Sequence, residues 1–327
     1  MSDVQHWLDR FDAVRQAGPF AYPRHHHHDG GQHDLHLVVG AVVHGDEYGS
    51  LPAVVQAVEA LSRGERAFGG KVTFFLGNPE ASLADRRFLE ADLNRVFVED
   101  PGDSHEGRRS ALLRPILDAA DVFLDLHQTI LDTDRPFYIF PFGIAGWHWA
   151  RAIAGATAWV TRAPDQSFSP GTCCADEYVR LRERVGMTLE LGEKGFNDVA
   201  AERAATAIDR LLTLADEVGR DGAALERAAQ AKPELEFVET RWRCTFDDPH
   251  MRLRDGLVNF QPVAQGEVLS APSTPEITAP CDGFLLFPKY PGYQADGSAI
   301  EPRPGEIVRI VAPLAQHPLD LWDVSGS

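Results

Sequence analysis

The sequence has little cysteine, and it lacks any apolar segment long enough to cross a membrane. Its four cysteines, Cys173, Cys174, Cys244 and Cys281, follow neither the spacing of a zinc site nor that of a disulfide framework. We therefore expect reduced thiols in a cytoplasmic protein. No run approaches the roughly 18 apolar residues of a membrane-spanning helix. The charged segment 1–16 reads as an amphipathic helix, so we expect no signal peptide.

Basic residues are also scarce. The chain contains 31 Lys and Arg against 49 Asp and Glu, which gives a formal net charge of −18 and a pI of about 5.1. Nucleic acids and anionic membrane surfaces are bound by basic patches, so we expect neither as a partner. An anionic substrate would be repelled by the overall field, and its binding would depend on a few arginines at short range. A homo-oligomer is compatible with this composition.

Residues 1–232 contain alternating strand-like and helix-like segments. Apolar runs typical of buried strands lie at 37–43, 71–79, 121–129, 137–142 and 186–192. Apolar residues at helical spacing lie at 48–64, 110–120, 146–159 and 198–219. The Gly-, Pro- and His-rich segment 17–34, which includes His25–His28, is interpreted as a loop, and 80–110 as irregular. The alternation predicts an α/β domain with a mixed, largely parallel sheet flanked by helices.

The pattern changes at about residue 233. From there to residue 327 the sequence consists of short strand-like segments separated by Gly, Pro and Asp, such as "GEVLSA" and "GEIVRIVAP". We therefore predict two domains, an α/β domain over 1–232 and a smaller all-β domain over 233–327.

Polar side chains stand at the ends of four predicted strands, namely His44, Asn78, His127 and Glu190. Ligands bind at the carboxyl ends of the strands in open α/β sheets, so these side chains are candidates for one site. His44 and Glu47 are three positions apart and can face one point if the chain turns helically there. Taken alone, this pair is more often two exposed polar residues that follow a strand.

A metal site is the alternative interpretation of this pair, and the surrounding motifs favour it. Two imidazoles and a carboxylate are typical protein ligands of catalytic zinc, and His127 is the natural third ligand because it ends a neighbouring strand. The polar segment 85–97 is either a solvated loop or a binding loop. Its apolar residues would anchor it, so that the adjacent Asn94 and Arg95 could hold a carboxylate.

These motifs together resemble one known family. "HGDE", "GNP", "RRFLEADLNRVF", "DLHQT" and "TLELG" occur in the order and spacing of the succinylglutamate desuccinylase/aspartoacylase family, which is related to the zinc carboxypeptidases. The resemblance covers about residues 35–215 and continues more weakly in the β region. It implies a zinc-carboxypeptidase-like fold. By position, it implies that His44, Glu47 and His127 bind one zinc ion.

The resemblance also implies roles for other residues. Glu190 matches the catalytic glutamate, and Arg87 matches the arginine that polarises the scissile carbonyl. The remaining matches are Asn94 and Arg95 for the α-carboxylate of the amino acid, Arg180 for a second acidic group, and Asp92 for orienting a zinc-binding histidine.

The sequence departs from the family pattern at a few positions. Asp46 stands where the family commonly has Asn, which adds a negative charge close to the metal ligands. Gln128 stands where many members have Thr or Asn. Tyr290 and Tyr293 are both candidates for the mobile tyrosine of the family. These departures leave the metal ligands intact, and they leave the identity of the substrate open.

The resulting expectation is a zinc-dependent hydrolase that cleaves the amide bond of a small, anionic N-acyl amino acid such as N-succinylglutamate or N-acetylaspartate. Glu190 would act as the base, since an unpaired acid in the apolar strand 186–192 is costly without a function. Its alternative role is a structural ion pair with a nearby arginine. Two other functions stay open, a metallocarboxypeptidase that acts on peptides and a non-catalytic, zinc-stabilised binding module.

Overall fold

The computed structural model describes residues 3–301 and 304–323. The strands are β1 (His25–Asp29), β2 (His36–Ala41), β3 (Lys71–Leu76), β4 (Val122–Thr129), β5 (Phe137–Ile139), β6 (Ala158–Val160), β7 (Val185–Glu193), β8 (Glu236–Thr245), β9 (Pro262–Val263), β10 (Gly283–Leu286) and β11 (Glu306–Pro313). The helices are α1 (Asp3–Val14), α2 (Leu51–Ser62), α3 (Pro79–Leu83), α4 (His105–Asp118), α5 (Ile144–Ile153), α6 (Ala175–Arg180), α7 (Asp198–Arg220), α8 (Ala224–Gln230) and α9 (Pro318–Leu321), with a 3₁₀ turn at Leu93–Arg95.

Within the described residues, the strands form one mixed sheet in the order β1-β3-β2-β4-β7-β5-β6-β8-β11-β10-β9. Strands β3, β2, β4 and β7 are parallel neighbours, and β5 pairs antiparallel with β7. The predicted α/β fold with helices on a mixed, largely parallel sheet is therefore confirmed. No helix in the described ranges is long and apolar enough to span a membrane.

The central strands are buried on both faces, as their unbroken apolar runs predict. In β2, Leu37 and Val39 belong to one core with residues of α1, α2, α5 and α7. Val38 points to the other side, into a core with residues of α4 and α6. Because successive strand residues face opposite sides, one strand fills two cores, and the fold has three layers. The carboxyl ends of these strands, where the candidate site residues lie, therefore rest on a fully packed core.

The C-terminal strands extend the same sheet. Strand β8 pairs parallel with β6, and β11, β10 and β9 follow as antiparallel neighbours. The loops around these strands have a core of their own, and a further apolar cluster joins Phe137 and Val160 to Phe260 and Leu286. The predicted domain boundary after residue 232 stays a prediction, although strands from both sides share one sheet.

Three local predictions were wrong. The loop predicted over 17–34 contains strand β1, which pairs antiparallel with β3. The irregular segment 80–110 contains most of α3, the 3₁₀ turn and the start of α4. The helix predicted over 146–159 ends at Ile153, because Ala154 adopts a left-handed conformation with φ of 48°. The histidines of β1 explain the first error, since imidazoles count as polar in an apolar pattern and yet pack well at a sheet edge.

Three histidines near this edge are buried, and burial strongly lowers the pKa of two of them, His26 and His36. His26 contacts Phe74 and accepts a hydrogen bond from the backbone N–H of Gln16, and His36 bonds Thr73. Burial lowers the pKa of both imidazoles from 6.5 to about 4, and neighbouring histidines add to this effect. The unfolded chain therefore binds more protons than the folded chain between these pH values, so stability falls as the pH drops below 6.5.

We expect the free energy of unfolding to fall by about 2 kcal/mol for each of His26 and His36 between pH 7 and pH 5. The double variant His26→Gln/His36→Gln should flatten this dependence in urea unfolding, because glutamine does not titrate. His6→Gln, which changes an exposed histidine on α1, should keep the wild-type slope. A double variant with the wild-type slope would show that other groups cause the acid sensitivity.

Candidate metal centre and catalytic cavity

The chain makes a sharp turn between β2 and His44. Val42 has a φ of 57°, an unusual conformation for a β-branched residue, and it directly follows the end of β2. A tight turn follows, in which the N–H of Glu47 bonds the carbonyl of His44 at 3.1 Å. A turn, rather than the helix that the spacing suggested, therefore brings the side chains of His44 and Glu47 together.

Gly45 permits a close backbone contact in this turn. A Cβ atom at Gly45 would lie 2.5 Å from the backbone of Ala81 and of Arg86, so only glycine fits. Its N–H bonds the carbonyl of Arg87 at 2.9 Å. The turn that carries His44 is thus fixed directly to the loop that carries Arg87.

The Glu47 carboxylate lies between the two histidines. Its Oε1 atom is 2.8 Å from Nδ1 of His44, and its Oε2 atom is 2.8 Å from Nδ1 of His127. All three side chains are buried, and their ligand atoms lie within 4.8 Å of one another. In the described part of the chain, this is the one cluster of three metal-ligating side chains. The residues that the sequence singled out as metal ligands are therefore brought together.

A carboxylate faces the far nitrogen of each histidine. Nε2 of His44 is 3.1 Å from Oδ1 of Asp92, and Nε2 of His127 is 2.9 Å from Oδ2 of Asp125. At His127 this partner holds the proton on Nε2 and leaves Nδ1 as the candidate ligand atom. Nε2 of His44 also lies 2.7 Å from Nη2 of Arg87, which can only donate a hydrogen bond. Asp92 has the orienting position that the resemblance implied. Asp125 was missed, although an acid two residues before His127 in an apolar strand faces the same side.

The charge around this cluster suits a divalent cation. Glu47, Asp92 and Asp125 carry three negative charges, and Arg87 carries one positive charge, which leaves a formal charge of −2 beside two imidazoles. Burial alone would lower the pKa of His127, but Asp125 and Glu47 outweigh it and hold the pKa well above its ordinary value. Oδ1 of Asp125 is buried without a hydrogen-bond partner. This excess of buried negative charge fits a metal ion.

Glu190 lies beside the cluster. It is paired in register with His127 on the neighbouring strand and is 7 % exposed, and its Oε2 atom is buried without a hydrogen-bond partner. Burial raises the pKa of Glu190 to about 7, and the nearby Glu47 carboxylate adds to the effect. A structural ion pair would give this carboxylate oxygen a partner, and it has none, so the arrangement argues against a purely structural role. It suits a group that exchanges protons near neutral pH.

Arg87 connects two of the carboxylates. It donates to Oε1 of Glu47 and to Oδ2 of Asp92, each at 3.2 Å, and its half-buried guanidinium lines the cavity. The carboxylate of Glu106 holds the loop beyond it, since it accepts the backbone N–H groups of Leu89, Glu90 and Ala91. A positive charge is thereby fixed beside the predicted metal ligands.

Asn94 and Arg95 also line the cavity. Oδ1 of Asn94 accepts the N–H of Ala175 at 2.9 Å, which fixes the start of α6. Arg95 donates to the carbonyl of Asn94 at 2.6 Å, and its guanidinium carbon lies 5.3 Å from the centre of the Phe168 ring. Their predicted role in holding a carboxylate stays a prediction, and the positions are compatible with it.

The cavity has a volume of about 460 Å³. Its walls include the predicted metal ligands, Glu190, and residues 287–289 and 304–306 of the C-terminal region. Arg180 is absent from the described residues that line it. The Arg180 guanidinium pairs with Asp176 and also bonds the carbonyl of Gly186. Its predicted contact with a substrate acid therefore stays without structural support, while the unpredicted Arg162 and Arg309 line the cavity.

The residues that depart from the family pattern have structural partners. Asp46 pairs with Lys194 at 2.6 Å and is absent from the described cavity wall. Gln128 accepts the N–H of Gly49 at 2.7 Å and donates to the carbonyls of residues 193 and 195, so it joins two loops. The hydroxyls of Tyr290 and Tyr293 donate to carbonyls of residues 254 and 251, and neither ring is among the described lining residues.

Two curated relatives align with most of this chain. The chain is 27% identical over 272 residues to the succinylglutamate desuccinylase of Erwinia tasmaniensis, covering 77% of this chain and 79% of the relative. The succinylglutamate desuccinylase of Pseudomonas paraeruginosa is 28% identical over 259 residues, covering 72% of this chain and 73% of the relative.

Solved structures share the fold. A succinylglutamate desuccinylase from Vibrio cholerae has a TM-score of 0.64 at 18% identity, covering 88% of this chain and 82% of that chain. Murine aminoacylase 3 has a TM-score of 0.61 at 19% identity, covering 86% of this chain and 95% of that chain. The family model described as "Succinylglutamate desuccinylase/Aspartoacylase catalytic domain" matches residues 34–215, more than half of the chain. The chain therefore belongs to the succinylglutamate desuccinylase/aspartoacylase family of amide hydrolases.

Proposed function

We propose that the protein is a zinc-dependent hydrolase that cleaves the amide bond of a small N-acyl amino acid. The observation that carries this proposal is the buried cluster of His44, Glu47 and His127, with the unpartnered Glu190 carboxylate beside it. Two imidazoles and one carboxylate form a common ligand set of catalytic zinc, which leaves a further coordination position for water. One zinc ion per chain would occupy this cluster.

The roles of the side chains follow from their positions. A zinc ion held by this ligand set supplies Lewis-acid activation of water near neutral pH. Glu190 accepts the proton of the attacking water and passes it to the leaving amine, a task for which a pKa near 7 is suited. Arg87 stabilises the negative charge that develops on the carbonyl oxygen of the substrate. Asn94 and Arg95 hold the α-carboxylate and so fix the amide in the cavity.

The cavity favours small substrates. Its volume of about 460 Å³ is in the range of small-molecule sites, and residues of the C-terminal region form part of its wall. A peptidase that acts on longer chains needs a more open cleft, so we rank an N-acyl amino acid above a peptide. The four free cysteines support a reducing, cytoplasmic location.

The direct test is a metal analysis followed by hydrolysis assays with N-acylated amino acids and peptides. We expect about one zinc ion per chain and hydrolysis of acylated amino acids. Glu190→Gln should keep the zinc and lower kcat by roughly 10² to 10⁴, because it removes the proton carrier. Glu193→Gln, an exposed change on the same strand, should keep the wild-type kcat. Bound metal without any hydrolysis would favour a binding module, and preference for peptides would favour a carboxypeptidase.

Arg87→Ala should lower kcat by about 10² to 10³, since losing one oxyanion donor typically costs about 3 kcal/mol. The neighbouring, exposed Arg86→Ala serves as the matched control and should change kcat little. Zinc content is measured in both variants. An Arg87→Ala enzyme with wild-type kcat, or one whose activity is lost only because zinc is lost, would contradict the proposed role.

A further inference from the structure

A second cavity shares a wall with the catalytic cavity. It has a volume of about 430 Å³, and Ile139, Arg162, Phe168 and Arg309 line both cavities. Parts of β6, of the segment after β6 and of β8 form the rest of its wall. The predicted metal ligands and Glu190 line the catalytic cavity alone. The second cavity is therefore a separate space that the proposed hydrolysis does not use.

Three guanidinium groups line this second cavity, those of Arg162, Arg243 and Arg309. Arg243 on β8 and Arg309 on β11 are paired in register, and like charges directly opposite each other on neighbouring strands are destabilising. Among the residues that the structure describes, no carboxylate forms an ion pair with Arg162 or Arg243. Arg162 donates instead to the carbonyl of Gln166 at 2.7 Å. The cavity wall therefore carries positive charge that the protein leaves uncompensated.

The nearby acids are already committed to other cations. Glu239 is the one acid among the described residues of this wall, and it pairs with Arg241 at 2.9 Å. Glu306 pairs with Arg309 at 2.7 Å but also with Lys289 at 3.0 Å. Two guanidiniums at the cavity are thus left without a counter-charge in a chain whose net charge is −18. A local excess of cations in such a chain needs a specific explanation.

A buried hydroxyl in the same wall also lacks a partner. Thr161 is 3 % exposed, and its Oγ1 atom is buried without a hydrogen-bond partner. The backbone N–H of Thr161 bonds the carbonyl of Val238 at 2.8 Å, which fixes the residue beside β8. Because Thr161 lines the second cavity, a ligand oxygen there would give this hydroxyl its missing hydrogen bond.

We propose that the second cavity is an effector site for a small dianionic ligand, a phosphate group or a dicarboxylate, which is held by Arg162, Arg243, Arg309 and Thr161. Guanidinium groups and hydroxyls donate hydrogen bonds to phosphate and carboxylate oxygens, and two negative charges match the two uncompensated guanidiniums. Arg243 is exposed, so a ligand can enter from the β8 side without passing the metal cluster. Binding here does not depend on the proposed function.

A ligand in this cavity acts on the catalytic cavity through the shared wall. The guanidinium carbons of Arg162 and Arg309 lie 5.6 and 4.9 Å from the centre of the Phe168 ring, which borders both spaces. A bound dianion cancels part of the positive potential of these arginines, so an anionic substrate binds less tightly. The expected effect is a higher KM with an unchanged kcat. This effect on KM, unlike the binding itself, rests on the proposed function.

The first test is calorimetric titration of the zinc-loaded protein with inorganic phosphate and with succinate, in sodium chloride at constant ionic strength. Binding of phosphate alone indicates a phosphoryl ligand, binding of succinate alone indicates a dicarboxylate, and either supports the site. Arg243→Gln and Thr161→Val should weaken the binding by about tenfold or more, as expected for losing a hydrogen bond to a charged group. Thr161→Val should keep the wild-type stability in urea unfolding, because the lost hydroxyl has no partner in the protein.

Two further variants serve as comparisons. Arg227→Gln changes an exposed arginine of α8 and should bind the anions as the wild type does. Arg95→Gln removes a cation that lines the catalytic cavity alone. Binding that is lost in Arg95→Gln and survives in Arg243→Gln and Thr161→Val would place the anion in the catalytic cavity and overturn the proposal. Failure of both anions to bind would overturn it as well.

The second test repeats the hydrolysis assays with the anion that binds. It should raise the KM of the wild-type enzyme severalfold without changing kcat, and it should leave the KM of Arg243→Gln unchanged. Without the anion, Arg243→Gln should have the wild-type kcat and KM. An equal rise of KM in both proteins would mean direct competition and would overturn the effector role. If no acylated amino acid is hydrolysed, the proposed function fails, and the calorimetric comparison alone decides whether the second cavity binds the anion.

Discussion

The placement of one carboxylate between two imidazoles governs the rest of the site. Glu47 faces Nδ1 of both His44 and His127 at 2.8 Å, and these side chains come from distant parts of the chain. Each would be costly to bury alone. Together they form a candidate ligand set, and the surrounding excess of negative charge favours a cation over an apolar core. The sheet makes this possible because parallel strands β2 and β4 end at the same edge.

The surrounding contacts restrict the movement of this set. Asp92 and Asp125 fix the far sides of the two rings, and Gly45 lets the Arg87 loop approach within hydrogen-bond distance. Gln128 joins the neighbouring loops. The same contacts explain why Glu190 is left without a partner on one oxygen: the nearby cations are already committed to other carboxylates. A buried, unpartnered acid at this position is a suitable proton carrier.

The sequence was sufficient to predict the fold class and the meeting of His44, Glu47 and His127, because strand ends in a parallel sheet converge regardless of what separates them in the chain. It was less informative where long-range packing decides the outcome. The prediction of a loop at β1 was wrong because the histidines of this strand counted as polar residues. Asp125 was overlooked because it lies inside an apolar run. Arg162 and Phe168 could not be found by spacing, since their proximity to Arg309 arises only when β6 and β11 both pair with β8.

The central claim is that His44, Glu47 and His127 hold one zinc ion through nitrogen and oxygen atoms. X-ray absorption at the zinc edge of the loaded protein tests it most directly, because ligand types differ in distance. The account predicts two imidazole nitrogens at about 2.0–2.1 Å with oxygen ligands at about 2.0–2.2 Å. Sulfur at about 2.3 Å, or a signal with no imidazole contribution, would contradict it.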